Sequence, residues 1–324
     1  MDINFNTMSA KLKQRFCTDC NLPINIFQEP YFIDRLWLYN KYYNTCNKWY
    51  IFAENLANYK CEQDYFEDYN RVKDEAINFI KSTEAYQSFC EEDMNQYEIV
   101  HKGLPSKDIF HQTNDGKTFI SIDMRKANFS TLYYYDPKIF DYAETWEEFI
   151  SKFTDNQHII NSKYIRQVIL GNCNPRRQIT YEKYLMDVVL NGFLLRECFT
   201  LDKVVFFSND EIIIDISDLD NENGCLMVSD IKDNLKHMLL PLKVEHFKLH
   251  KIEGTQGYCK EIFKENGETE IKFKCVDSLY MPFIIRKFLG QEVQENDKVF
   301  YHNGLLAKFI EVPGIKIDLN ETTN

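Results

Sequence analysis

The chain has 324 residues, 44% of them hydrophobic, 27% charged and 15% aromatic, with only 11 Gly and 8 Pro. That composition excludes a disordered tail, which would be poor in aromatics, and a collagen-like or linker-rich chain, which would be rich in Gly and Pro. The net charge of −12 argues against a protein that merely coats nucleic acid, because phosphate binding wants a basic surface.

The opening segment MDINFNTMSAKLKQRFC lacks the apolar run of a signal peptide, and no stretch approaches the roughly 18 apolar residues of a membrane span. The expectation is a soluble cytoplasmic protein (host cytoplasm, if viral) with no membrane partner. Cys17 and Cys20 form the one C-x-x-C among ten cysteines. A zinc ribbon needs a second close ligand pair, so reduced thiols are expected, with a half-site completed by Cys46 or Cys61 as the alternative.

Residues 1–115 carry 12 Lys/Arg against 18 Asp/Glu. From about 30 to 100 the apolar spacings of three and four predict acidic helices, clearest over DYFEDYNRVKDEAINFIKSTEAYQSF. HKGLPSKD, with Gly103 and Pro105, is the best boundary in the chain.

After it, KTFISIDM (117–124) reads as a β-strand and RKANFSTLYYY as the helix that follows. TWEEFISKFT (145–154) starts with Thr145 as N-cap and Glu148 three residues on, a capping box. SKYIRQVIL (162–170) is a short helix, and Pro175 opens a longer one over RRQITYEKYLMDVVLNGFLLREC. KVVFFSNDEIIIDI (203–216) is a hairpin with a polar turn. Beyond residue 235, KVEHFKLHKI, GYCKEIF and TEIKFKCV read as strands and PFIIRKFL as a helix. A second hairpin (297–312) turns on Asn303-Gly304, a type I′ signature. His246 and His250 have helical metal-ligand spacing, but their segment alternates like a strand, so they are expected to be structural.

Charge is unevenly placed. Residues 160–206 hold Lys163, Arg166, Arg176, Arg177, Lys183, Arg196 and Lys203 against four acids, and 208–226 hold six acids and no base. Basic-then-acidic blocks suit a site for phosphates and divalent metal; two ordinary solvated faces are the alternative. Strand, helices and hairpin can form one antiparallel sheet backed by helices. If the strand neighbours the hairpin, Asp123 faces Asp210 and Glu211. Clustered carboxylates need a cation, which points to Mg²⁺ or Mn²⁺. The competing readings are Asp123 as a helix N-cap and Asn209-Asp210 as plain turn residues.

F-I-S-I-D-M-R-K-A-N-F-S-T-L (119–132) resembles motif A of palm-domain nucleic acid polymerases, where an apolar strand ends in a metal-binding Asp. V-V-F-F-S-N-D-E-I-I-I-D-I (204–216) is similar to motif C in its Asp-Glu form, nearest the DNA polymerase A type, although His is usual where Asn209 stands. The intervening helix has Arg176, Arg177, Tyr181 and Lys183, right in type for a fingers helix but differently spaced.

The resemblance implies Asp123 and Asp210 as metal ligands and Glu211 as ligand or support. It implies an α+β protein: an acidic helical domain (1–104), a palm-like catalytic core (105–226) and a mixed C-terminal part (227–324) completing the palm or forming a thumb. Lys126, Lys163, Arg166, Arg176, Arg177 and Lys183 are the candidates for a nucleoside triphosphate, and Asn128 and Phe129 for sugar selection. The implied function is metal-dependent nucleotidyl transfer on a primer–template, by a small polymerase or primase-like enzyme. The alternatives are a non-catalytic scaffold of a phage or virus, engaging a basic protein partner through the acidic domain, and a metal-dependent nuclease. Glu270-Ile271-Lys272 is half of a nuclease-type E-x-K.

Overall fold

The computed structural model describes residues 8–195 and 198–317; Arg196 lies outside them. The acidic first third folds as helices α1 (Ala10–Asp19), α2 (Phe32–Tyr43), α3 (Thr45–Leu56), α4 (Glu62–Ser82) and α5 (Glu84–Glu91). In α4 the buried residues Tyr65, Tyr69, Val72, Ala76 and Ile80 recur every three or four positions, so one stripe faces inward. Ser9 caps α1 by accepting the Leu12 N–H, and Thr83 caps α5 by accepting that of Tyr86. Aromatic rings fill the space between helices: Trp49 sits edge-on to Phe16 and Phe32, each at 4.8 Å.

The sheet is antiparallel. Its strands are β1 (Thr118–Met124), β2 (Val204–Phe207), β3 (Glu211–Asp215), β4 (Leu242–Glu253), β5 (Tyr258–Phe263) and β6 (Thr269–Lys274), in the order β2-β3-β1-β4-β5-β6. A hairpin of β7 (Val299–His302) and β8 (Leu305–Lys308) stands apart. It turns on Asn303 and Gly304, both at positive φ, as a type I′ turn requires. The short β9 (Lys316–Ile317) extends β4 at its far end.

Period-two alternation gives the sheet two different faces. Ile120, Ile122, Ile212 and Ile214 are fully buried in the main core. Behind that face lie helices α6 (Ala127–Tyr135), α7 (Trp146–Ile150), α8 (Gln157–Asn161), α9 (Lys163–Gly171), α10 (Pro175–Val189) and α11 (Asn221–Leu235). The capping box at Thr145 forms in part: Thr145 accepts the Glu148 N–H, while the Glu148 carboxylate reaches the N–H of Glu144 instead of that of Thr145. On the opposite face, Phe119, Ile213, Phe247, Leu249, Tyr258 and Ile262 form a smaller cluster under Ile109. The rest of that face is polar and carries the chemistry.

The expected division at 226/227 falls inside α11. Across 104/105 the main core is continuous: it runs from Leu12 through the sheet to Ile285 in α12 (Met281–Phe288). A buried ion pair of Arg35 in α2 with Asp297, at 2.9 Å, ties the helical layer to the C-terminal part. Among the described residues no helix is long and apolar enough to cross a membrane.

Candidate active site

Asp123 occupies the next-to-last position of β1. The register sets it directly opposite Glu211 of β3 on one side and Lys243 of β4 on the other. Directly opposed residues share a face, with Cβ atoms about 4.5–5.5 Å apart. Asp210 is the turn residue immediately before β3. Its backbone carbonyl accepts the Met124 N–H at 2.8 Å, which pins the hairpin turn to the end of β1.

Ser208 orders that turn. Its hydroxyl accepts from the backbone N–H of Glu211 at 3.0 Å and of Asp210 at 3.3 Å, and donates to the Asp210 carboxylate at 3.1 Å. The Ser121 hydroxyl, two residues before Asp123 on the same face, donates to Glu211 Oε1. The fold thus brings three carboxylates, separated by 87 positions of sequence between the first two, to one corner of the sheet.

Their electrostatics follow. Partial burial pushes the Asp123 carboxyl up to about 6, helped by Glu211, Asp210 and Glu245 and opposed by Lys243. Among the described residues no Lys or Arg forms an ion pair with Asp123, Asp210 or Glu211. Nor do any three His, Cys, Asp or Glu side chains there converge as a ready-made metal cage: Glu211 is engaged by Ser121 and Asp210 by Ser208. Cys17 is buried, its thiol pushed up by burial, and Cys20 is pushed up to about 12.

The raised Asp123 value has a sign. A carboxyl whose folded value exceeds the ordinary 3.8 favours folding fully below about pH 4, and that contribution is lost as pH rises through about 6. Asp123→Asn should therefore melt about 2 °C above the native chain at pH 8 and level with it at pH 4, the gain kept small by solvent screening. Differential scanning fluorimetry at the two pH values checks this; a variant that melts lower at pH 8 contradicts the repulsion.

Two further carboxylates belong to the surroundings. Glu182 lies in the buried stripe of α10 with Gln178, Leu185, Met186 and Val189. Asn209 Nδ2 donates to its Oε2 at 2.8 Å. Burial pushes the Glu182 carboxyl up to about 7, with the Asn209 bond lowering it and Asp210 raising it. The four-residue spacing from Gln178 was the signal that marks it as inward-facing. Glu245, opposite Ser121, is gripped by Lys243, Lys260 and Lys272, which hold its carboxyl far below the usual range against the pull of burial.

The cations named from the sequence are dispersed. Lys126 caps α6 in a left-handed conformation and pairs with Glu147. Arg166 is half-buried on α9, its pKa lowered by burial and partly restored by Glu147. Lys163 and Arg176 are exposed in the first turns of α9 and α10. Arg177 corrects an expectation: it donates to the carbonyls of Phe89, at 3.0 Å, and Glu92. Its partner is the C-terminal end of α5, whose free carbonyls attract a cation, and not a phosphate.

Lys183 lies at the hairpin, its ammonium 5.5 Å from the Phe207 ring centroid. Asn128 bonds locally to the Phe129 N–H. Phe129 is also corrected: it is buried against Phe140 at 4.5 Å, where it cannot touch a sugar. His246 and His250 are buried strand residues, with His250 2.8 Å from Glu261.

Compared with known proteins, the chain matches no family model, no curated sequence and no solved structure.

Proposed function

We propose that this chain is a metal-dependent nucleotidyltransferase, a small polymerase or primase-like enzyme with a palm-like sheet. The observation that carries the reading is the register that sets Asp123 across from Glu211 with Asp210 at the adjoining turn. All three border the polar face of a sheet whose other face is covered by helices. An oxygen-only donor set of crowded, uncompensated carboxylates fits Mg²⁺ or Mn²⁺. Asp123 and Asp210 would hold the ions, and Glu211, oriented by Ser121, would support them. Bound cations would supply activation of a primer 3′-hydroxyl and charge neutralisation at the leaving phosphate.

The chain's own residues do the remaining work. Ser208 and the Asp210 carbonyl fix the turn against β1, so the carboxylates are positioned before any ligand arrives. Above pH 6 Asp123 is ionised and available as a ligand. The acidic helices would suit a basic protein partner. A purely non-catalytic scaffold, however, gives no reason for Asp123 to meet the distant Asp210-Glu211 pair at one sheet corner.

The test is primer extension with labelled nucleotides and Mg²⁺ or Mn²⁺. Extension that is lost on chelation is expected, and Mg²⁺ should raise the melting temperature more at pH 8 than at pH 5, because it binds the ionised carboxylates. Incorporation that persists without divalent cation would refute the assignment. The Lys272 contact with Glu245, at 2.8 Å, on the same face favours a second reading, phosphodiester hydrolysis; shortened strands with no extended product would select it.

A further inference from the structure

The register places Lys243 of β4, Lys260 of β5 and Lys272 of β6 on the same face as Asp123. All three ammonium groups converge on one carboxylate. Lys260 lies 2.7 Å from Glu245 Oε2, Lys272 lies 2.8 Å from Oε1, and Lys243 also pairs with Oε1. Glu270 is the nearest second acid, 3.7 Å from Lys272, but it is shared with Lys264 at 3.3 Å.

Lys260 is buried, with its ammonium 4.0 Å from the centroid of the Phe247 ring. A buried ammonium is costly, and the one carboxylate that all three share, Glu245, carries a single charge, with Glu211 acting on Lys260 and Glu270 on Lys272 from further off. If the lysines served only to neutralise the acids of β1 and β3, Lys243 would reach Asp123, directly opposite. It turns to Glu245 instead. The face is therefore divided, with carboxylates that form no ion pair among the described residues at the β3–β1 corner and gathered ammonium groups over β4–β6.

We infer that Lys243, Lys260 and Lys272 form a polyphosphate-binding site, which takes the triphosphate of the incoming nucleotide beside the Asp123–Asp210–Glu211 corner. Lysine binds phosphate as a point charge, and three on adjacent strands present donors to several oxygens at once. They surround one point, Glu245, and do not form a track. A nucleic-acid backbone would need contacts spread along a groove. The choice of nucleotide rests on the nucleotidyl-transfer reading; the affinity for polyphosphate does not.

The experiment is titration calorimetry with inorganic tripolyphosphate in chelator-treated buffer, so that no metal contributes. Lys243 and Lys272 are partly exposed, at 38% and 34% of their side chains, so their Met variants should fold. Each should weaken binding about tenfold, the worth of one charged hydrogen bond. Lys248→Met, the same charge change on the opposite face, should bind as the native chain does. Asp210→Asn should retain tripolyphosphate binding even where transfer is lost, so a failed transfer reading and a failed phosphate site give different results. No binding by the native chain, or binding by both lysine variants as tight as the native chain's, overturns the proposal. So does a single-stranded oligonucleotide whose binding falls more than that of tripolyphosphate in the same variants, because the lysines would then serve a strand.

Discussion

Asp210→Asn should lower single-turnover nucleotide incorporation by about 10²–10³-fold while leaving primer binding in place. That is the usual loss when one preorganised charge-stabilising group is removed from an active site. The turn should survive the change, because Asp210 holds β1 through its backbone carbonyl, which Asn retains. Ser208 can still meet an amide oxygen where it now meets a carboxylate. Asp123→Asn should cost as much, and the double variant little more, since groups that act together are far from additive. Glu211→Gln should cost less, about tenfold, because one of its oxygens is already committed to Ser121. The native rate should also rise with pH through about 6 as Asp123 ionises, and that limb should vanish in Asp123→Asn. Retention of more than a tenth of native incorporation in Asp210→Asn would remove this carboxylate from the chemistry.

The parts of this site that are legible in the sequence are those specified locally. The apolar run ending in Asp123, the polar turn at Asn209-Asp210, the Pro175 helix start and the Asn303-Gly304 turn each encode their own geometry over a few residues. Those two blocks bring the carboxylates together only on the condition that strand and hairpin are neighbours, which the register of β1 with β3 meets. What escapes is the third neighbour. β4 lies 119 positions after Asp123 at its first residue, yet it pairs with β1 over the full length of β1. Nothing local in KVEHFKLHKI says which strand it joins. The cations that stand out in the sequence therefore lie between the two carboxylate blocks, on helices that pack behind the sheet. The lysines that share the carboxylates' face come later, from β4, β5 and β6.

Glu182 is hard to read from sequence for a related reason. An acid flanked by Tyr181 and Lys183 looks solvated until the four-residue spacing is counted. Helix α11 escaped because Asn, Asp, Glu and Gly dominate 217–226. Asp220 nevertheless caps it by accepting the Asn223 N–H, and Gly224 packs where an added Cβ would touch Ile216 and His246 at 3.4–3.5 Å.

Asp297→Ala should destabilise the protein by about 3–5 kcal/mol, the cost of stranding a buried charge. The Asp297 side chain is fully buried and receives three donors. Arg35 Nη1 meets one oxygen at 2.9 Å; Arg286 Nε at 2.9 Å and the Gln294 N–H at 2.8 Å meet the other. Without it, Arg286 keeps Gln291. Arg35, only 1% exposed, keeps only the carbonyls of Asn296 and Val299. Burial already lowers the Arg35 pKa, with Asp297 the largest opposing influence. The melting temperature should fall by on the order of 10 °C. Asp297→Asn should fall less, because the amide oxygen still accepts one donor. The shape of the transition is as informative as its midpoint. Arg35 belongs to α2 and Asp297 lies beyond the sheet, so the pair fastens the acidic helices to the last quarter of the chain across one continuous core. Chemical denaturation should therefore stay a single cooperative step in the variant. A first transition confined to the helices before residue 104 would show that they fold as a unit of their own, and a loss under 1 kcal/mol would show that the pair does not bear the charge balance assigned to it.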